Sequence, residues 1–161
     1  MPKRLSDQFT FRPVNLHDLP MIAAWLQAPH IAQWWGNDLQ QEIDDIKSHI
    51  HSISVRPYMI EYNNKPIGYI QNCDPHLEAN HPYQDQPPGT LGIDLSIGDP
   101  DMIGKGHGPR LIDAFVKKLF AQGATRVIID PDPANLVAIR TYEKAGFTAF
   151  DSRTSEYGPA L

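Results

Sequence analysis

The strongest constraint on the fold is a regular alternation of apolar and polar residues that leads directly into a glycine-rich segment. Apolar side chains take every second position over Leu91–Ile97, which is typical of a strand with one face in a core. Residues 103–108 then carry three glycines at alternate positions. Leu111–Phe120 follows with the apolar spacing of a helix. The chain therefore predicts a strand, a glycine loop and a helix in direct succession.

The rest of the chain predicts further elements of both kinds. Strands are expected at Gln8–Arg12, Pro57–Tyr62, Pro66–Cys73, Thr90–Ile97, Arg126–Ile129 and Phe147–Ser152. Helices are expected at Leu16–Leu26, Leu39–Ile50, Leu111–Phe120 and Asn135–Lys144. This order predicts one α/β domain over residues 1–161, with a mixed central β-sheet and helices on both faces.

Asparagine and proline mark several expected boundaries. Asn15 suits a helix N-cap, with Asp18 placed to interact with the positive end of the helix. Asn63–Asn64 suits a tight turn between two strands, because asparagine tolerates positive φ. Pro29 is expected to stop the first helix, and Asp74–Pro88 is expected to form a long polar loop.

Composition excludes several classes of function. The net charge of −5 argues against a nucleic-acid partner. No apolar run is long enough to span a bilayer, and the polar N-terminus lacks the pattern of a secretory signal. Cys73 is the single cysteine, so no internal disulfide can form. These features predict a cytoplasmic protein with no membrane partner.

Charge is distributed unevenly along the chain. No lysine or arginine occurs between Lys65 and Lys105. The carboxylates of this segment are Asp74, Glu78, Asp85, Asp94, Asp99 and Asp101. A segment of one sign attracts the opposite charge, so it is either a solvated acidic face or a surface that collects a cationic substrate.

The glycine-rich segment is a candidate phosphate site. Its residues are Ile103, Gly104, Lys105, Gly106, His107 and Gly108. Glycines let the backbone approach a ligand closely, and the loop N–H groups and the following helix N-terminus can bind a pyrophosphate. The alternative is a turn that only connects strand to helix. The fingerprints of the P-loop and of the Rossmann dinucleotide fold are both absent.

Two residues are candidates for proton transfer. Asp94 lies in the predicted strand, on the face opposite the apolar residues, where a carboxylate could hold an ammonium group and accept its proton. Tyr142 could donate a proton to a leaving thiolate. The alternatives are a solvated strand residue for Asp94 and a packing role for Tyr142. No metal site is expected, because His49 and His51 have the wrong spacing for one helix face.

The segment that follows the loop carries a family resemblance. Residues 128–147 contain a strand, Asn135 at the start of a helix, Tyr142, and a closing Lys-Ala-Gly-Phe. This arrangement resembles the second half of a GCN5-related N-acetyltransferase (GNAT), and the glycine loop resembles that family's coenzyme A pyrophosphate loop. The resemblance implies the GNAT fold and acetyl-CoA as co-substrate. The family usually has Gln or Arg where this chain has Ile103, so one phosphate contact differs.

Three further segments narrow the resemblance. Residues 28–36, 66–71 and 92–94 are similar to aminoglycoside 6′-N-acetyltransferases, which confer antibiotic resistance. The layout is also similar, more loosely around residues 92–94, to siderophore-pathway acyltransferases that acylate lysine or hydroxylysine. The resemblance implies direct transfer of acetyl from acetyl-CoA to a small polycationic amine in a ternary complex.

Acceptor-site residues follow from position and from the resemblance together. In the aminoglycoside group, the aspartate matching Asp94 is implicated in catalysis and that matching Asp130 contacts the antibiotic's amines. Asp130 otherwise forms the turn before Pro131. Gln71 resembles an acceptor-site position, or it is a solvated strand residue. One of the adjacent Trp34 and Trp35 is expected to pack inside and the other to stack on a sugar ring or pantetheine. Asn135 is expected to cap its helix, to contact pantetheine, or both.

Several alternatives stay open from the sequence. The acceptor could be lysine, hydroxylysine, a polyamine or a protein N-terminus. A non-catalytic acyl-CoA sensor would keep the fold but would need neither Asp94 nor Tyr142, and the glycine loop argues against a structural or assembly protein. The resembling families continue into another strand where this sequence stops. Either the natural chain continues or the sheet is completed by other means, for example by a partner in a homodimer.

Overall fold

The computed structural model describes residues 9–32, 38–77, 83–98, 107–129, 131, 135–148, 153–155 and 158–160. The strands are β1 (Phe9–Pro13), β2 (Val55–Tyr62), β3 (Lys65–Cys73), β4 (Thr90–Ile97), β5 (Arg126–Ile129), β6 (Arg153–Ser155) and β7 (Gly158–Ala160). The α-helices are α1 (Leu19–Leu26), α2 (Pro29–Ala32), α3 (Leu39–His49), α4 (His107–Ala121) and α5 (Leu136–Lys144). Single 3₁₀ turns cover Leu16–Asp18 and Pro75–Leu77.

The main sheet has five strands in the order β1-β2-β3-β4-β5. The first three pairings are antiparallel, and β4 pairs with β5 in parallel. A parallel pair needs a crossover, which α4 provides. Strands β6 and β7 form a separate antiparallel pair. The predicted mixed α/β sheet is therefore confirmed.

Each face of the sheet carries its own hydrophobic cluster. The first cluster joins β-strand residues to α4, and its fully buried members include Ile60, Ile70, Leu111, Ile112 and Phe115. The second cluster joins the sheet to α1 and α3, and its buried members include Ile22, Ile46, Met59 and Tyr69. Burial of these side chains is the main favourable term in folding. Helices cover both faces, as the sequence predicts.

The first helical segment is divided where the sequence predicts a continuous helix. Asn15 forms a capping box, in which its side chain accepts from the His17 N–H and the Asp18 carboxylate accepts from the Asn15 N–H. A 3₁₀ turn follows, and α1 begins only at Leu19. Pro20 explains the break, because it lacks the N–H that a continuous α-helix would bond to the Leu16 carbonyl.

Two other boundaries agree with the sequence, with one refinement. Asn63 and Asn64 connect β2 to β3 with φ values of 50° and 68°, so the predicted asparagine turn is confirmed. The helix α1 ends before Pro29, but Pro29 itself opens the short helix α2. Proline suits the first position of a helix, where an N–H would have no intrahelical partner.

The sequence predicts a strand that begins at Phe147, but the structure has none there. The end of α5 explains this difference. Gly146 adopts a φ of +103°, and the Phe147 N–H donates to the Tyr142 carbonyl at 3.0 Å. This hydrogen bond closes the last turn of the helix, so Phe147 and Thr148 belong to the cap. The rest of that predicted strand, residues 149–152, lies outside the described residues.

Gly68 on β3 lies close to the backbone of β4. A Cβ added at Gly68 would lie 2.5 Å from the backbone oxygen of Ser96, whereas one added at Gly92 would lie 3.0 Å from the thiol sulfur of Cys73. We expect Gly68→Ala to lower the free energy of unfolding by about 2 kcal/mol. The matched Gly92→Ala should cost about half as much, because a side-chain sulfur can move. Denaturant unfolding measures both, and equal losses would contradict the close approach.

Candidate active site

Strand β4 pairs on both sides. Its parallel ladder with β5 runs from Thr90 opposite Arg126 to Ile93 opposite Ile129. Its antiparallel ladder with β3 runs from Gly92 opposite Cys73 to Ile97 opposite Gly68. Asp94 directly follows Ile93, the last residue of β4 for which the structure describes a partner on β5. Asp94 is exposed, while Ile93 is buried.

Asp94 faces the side of the sheet that carries α1 and α3. Ile93 and Leu95 belong to the cluster on the opposite face, so the alternation of a strand turns Asp94 away from it. Gln71 on β3 lies directly opposite Asp94. The placement predicted for Asp94 is confirmed, and Gln71 shares its face.

Tyr69 lies two residues before Gln71 on β3, so the two side chains share this face of the sheet. Its side chain is 1% exposed and its hydroxyl donates to the Gln71 Oε1 at 2.6 Å. Burial, together with the carboxylates of Asp94 and Glu42, raises the pKa of the Tyr69 phenol far above its usual value. Tyr69 therefore stays protonated and acts as a hydrogen-bond donor at any physiological pH.

Glu42 is a residue of this region that the sequence interpretation missed. It lies on α3, one helical turn before Ile46, which packs in the same cluster as Tyr69. Residues four apart share a helix face, so the Glu42 carboxylate is directed towards Tyr69, and its charge acts on the phenol. The spacing from Ile46 was visible in the sequence, but which strand residue lies beneath α3 was not.

The start of α4 differs from the predicted boundary. The helix begins at His107, so His107 and Gly108 form its first turn instead of ending a loop. Pro109 is compatible with this first turn, where backbone N–H groups lack intrahelical partners. A Cβ at Gly108 would lie 2.9 Å from the Thr141 side chain, so the glycine brings α5 close to the start of α4.

His107 and Arg110 interact at this helix start. The Arg110 Nη2 lies 2.6 Å from the His107 Nδ1, and the His107 ring packs near Phe9 and Tyr62, with centroids 6.1 and 5.2 Å away. The Nε of Arg110 is buried and has no hydrogen-bond partner in the described part of the chain. The sequence interpretation missed Arg110, because it began the helix at Leu111.

Tyr142 packs against the sheet in a place separate from Asp94. Its ring lies 6.3 Å from the Phe147 ring and against the cluster beneath α4. It lines a cavity of about 480 Å³ between α4, β5 and α5, and Asp94 is not among the lining residues. Tyr142 thus packs against this cluster, and the described geometry does not bring the two candidate proton-transfer groups into one cavity.

Several predicted site residues fall outside the described residues, namely Trp34, Trp35, Ile103, Gly104, Lys105, Gly106 and Asp130. Asn135 is described and caps α5, because its side chain accepts from the Ala138 N–H at 3.2 Å. The predicted N-cap is confirmed. In the described part of the chain, no group of three or more His, Cys, Asp or Glu residues could hold a metal ion. No helix among the same residues is both long and apolar enough to cross a membrane.

Comparison with known proteins places this geometry in a family. A profile of the acetyltransferase (GNAT) domain matches residues 15–154. The aminoglycoside N(6′)-acetyltransferase type 1 of Klebsiella pneumoniae is 36% identical over 166 aligned residues, covering 97% of this chain and 82% of that protein. The lysine N-acyltransferase MbtK of Mycolicibacterium paratuberculosis is 27% identical, covering 88% of this chain and 66% of that protein.

Solved structures agree with the sequence comparison. The aminoglycoside acetyltransferase AAC(6′)-Ib in complex with coenzyme A and kanamycin superposes with a TM-score of 0.81 at 36% identity. The match covers 94% of this chain and 91% of that one. The predicted GNAT fold is therefore confirmed.

The N-cap of α5 can be tested separately from any ligand. We expect Asn135→Ala to lower the free energy of unfolding by about 1 kcal/mol, because the Ala138 N–H loses its acceptor. Asn135→Asp should keep most of the stability, since aspartate caps equally well. Thermal and denaturant melts measure both variants. An alanine variant as stable as the unmodified protein would exclude the capping bond as a significant contribution.

Proposed function

Because the chain belongs to the acetyltransferase (GNAT) domain family, we propose that it transfers an acetyl group from acetyl-CoA to the 6′-amino group of an aminoglycoside. The observation that carries the proposal is 36% identity to an aminoglycoside N(6′)-acetyltransferase across 97% of the chain. An exposed carboxylate at position 94, held directly opposite Gln71 by the ladder with β3, supports it.

The cofactor end of the proposed site is the start of α4. The first-turn N–H groups of a helix have no intrahelical partners and attract anions. We assign the diphosphate of acetyl-CoA to His107, Gly108 and the preceding loop residues Ile103, Gly104, Lys105 and Gly106. Arg110 adds a positive charge at this helix start, which offsets the absence of Gln or Arg at position 103.

The proposed chemistry is direct transfer. The amine nitrogen attacks the thioester carbonyl carbon, the new C–N bond forms, and the C–S bond breaks to release the thiolate of coenzyme A. Asp94 accepts a proton from the ammonium group, directly or through water, so that a neutral amine attacks. Holding both substrates in one complex supplies much of the rate.

The leaving thiolate requires a proton. Tyr142 is the proposed donor, because it lies on α5, next to Thr141, whose side chain is in close contact with the start of α4. Asn135 at the N-terminus of the same helix is the proposed contact to the pantetheine arm. Asn135→Asp keeps the capping acceptor, so a raised KM for acetyl-CoA in that variant would report a direct contact.

The acceptor end of the proposed site has negative charge. Asp94 is exposed on β4, and the charges of Asp94 and Glu42 both act on the phenol of Tyr69. We propose that these carboxylates, together with Asp130, attract a polycationic amine. Gln71 and one of Trp34 and Trp35 would contact the sugar.

We expect Asp94→Asn to lower kcat about 100-fold or more, because the proton acceptor is lost. The affinity for acetyl-CoA should stay unchanged, because the proposed cofactor end of the site is left intact. Steady-state thiol release and calorimetry with acetyl-CoA measure the two quantities. Asp44→Asn is the matched control, since Asp44 is exposed on α3 and its carboxylate accepts a hydrogen bond from Gln40 on the same helix. Near-normal turnover in Asp94→Asn would remove Asp94 from its role.

The acceptor is tested with a panel of amines. With acetyl-CoA, we expect kcat/KM for kanamycin and tobramycin to exceed that for lysine, hydroxylysine and spermidine by at least about 100-fold. The similarity to lysine N-acyltransferases makes lysine the rival acceptor. Turnover confined to lysine analogues would overturn the acceptor assignment, and acyl-CoA binding without turnover of any amine would favour a sensor.

A further inference from the structure

The hydrogen bond between Tyr69 and Gln71 has a chemical consequence for the acceptor. Tyr69 is buried and donates to the Oε1 of Gln71 at 2.6 Å. The amide oxygen of Gln71 therefore accepts a hydrogen bond from a phenol that stays protonated. Because an amide has one oxygen and one NH2 group, fixing the oxygen also fixes the direction of the two N–H donors.

The nitrogen of the same amide remains available. In the described part of the chain, the amide nitrogen of Gln71 makes no hydrogen bond. Gln71 is half-buried and lies directly opposite the exposed Asp94. Side chains directly opposite each other in an antiparallel pair have Cβ atoms about 5 Å apart. The Gln71 donors and the Asp94 carboxylate therefore meet the same part of a bound acceptor.

We propose that Tyr69 is a positioning residue that fixes the amide of Gln71 so that its N–H groups serve the acceptor, and that the site therefore prefers amines with an oxygen atom two carbons from the nitrogen. This inference rests on the proposed function, since it assumes that Asp94 binds the reacting amine. A freely rotating glutamine could present either its oxygen or its NH2 group to a substrate. Here the oxygen already accepts from Tyr69, which fixes the amide, and an oxygen acceptor on the substrate can use the N–H groups.

The covalent structure of aminoglycosides fits this proposal. In an aminoglycoside, the 6′-amino group is separated from the oxygen of its sugar ring by two carbon atoms. Lysine and spermidine carry no oxygen at that distance from their terminal amines. In this arrangement, Asp94 on β4 binds the ammonium group. Gln71 on the adjacent strand β3 binds the ring oxygen two carbons away.

The test compares two small amines that differ by one atom, 2-(aminomethyl)tetrahydropyran and (aminomethyl)cyclohexane. We expect kcat/KM of the unmodified protein to favour the ether about ten-fold, the value of one hydrogen bond. Tyr69→Phe and Gln71→Leu should each reduce this ratio to near one, and the double variant should reduce it no further. Tyr58→Phe is the matched control, because it removes the hydroxyl of a buried tyrosine that packs in the cluster on the opposite face of the sheet.

The outcomes separate this inference from the proposed function. Turnover of kanamycin with an unchanged ether preference in Tyr69→Phe would overturn the positioning role and leave the function intact. No turnover of kanamycin by the unmodified protein would overturn both. If Tyr69→Phe fails to fold, Gln71→Leu alone decides, because a retained preference in that variant also excludes the amide as the discriminating donor.

Discussion

The whole site depends on the antiparallel ladder between β3 and β4. This ladder runs from Gly68 opposite Ile97 to Cys73 opposite Gly92, and it places Asp94 directly opposite Gln71. Asp94 is exposed, on a backbone that β3 holds in register. A carboxylate in this position combines a fixed direction with access to a ligand, which a loop does not provide.

The two faces of the sheet have different roles: one forms an apolar core, and the other supports polar residues of the proposed site. The face towards α4 is apolar along its strands and is filled by fully buried side chains such as Ile70 and Phe115. On the face towards α1 and α3, Tyr69 is buried, yet its hydroxyl donates a hydrogen bond to the polar side chain of Gln71. A buried hydroxyl with a satisfied hydrogen bond costs little and fixes its partner. The second core thereby supports the polar residues above it.

Local patterns predicted most of the fold, because they depend on neighbouring residues. The alternation over Leu91–Ile97 located β4, and Asn63–Asn64 located the turn between β2 and β3. The start of α4 was wrong, since Gly108 and Pro109 are common in loops but are also tolerated in a first helical turn. The contribution of Glu42 was missed because it depends on which strand residue lies beneath α3. Such contacts are set by packing between distant segments, which spacing along the chain does not specify.

The close approach at Gly108 has a consequence for how relatives can diverge. The absence of a side chain there sets the separation of α4 and α5, since Thr141 occupies the space that a Cβ would need. A glycine at this position of the first turn of α4 is thus favoured by the neighbouring helix independently of any anion. Positions 108 and 141 are in steric contact, so a larger residue at the first is accommodated when the side chain at the second shifts or becomes smaller. Their sequence changes should be correlated even among relatives that bind different acyl donors.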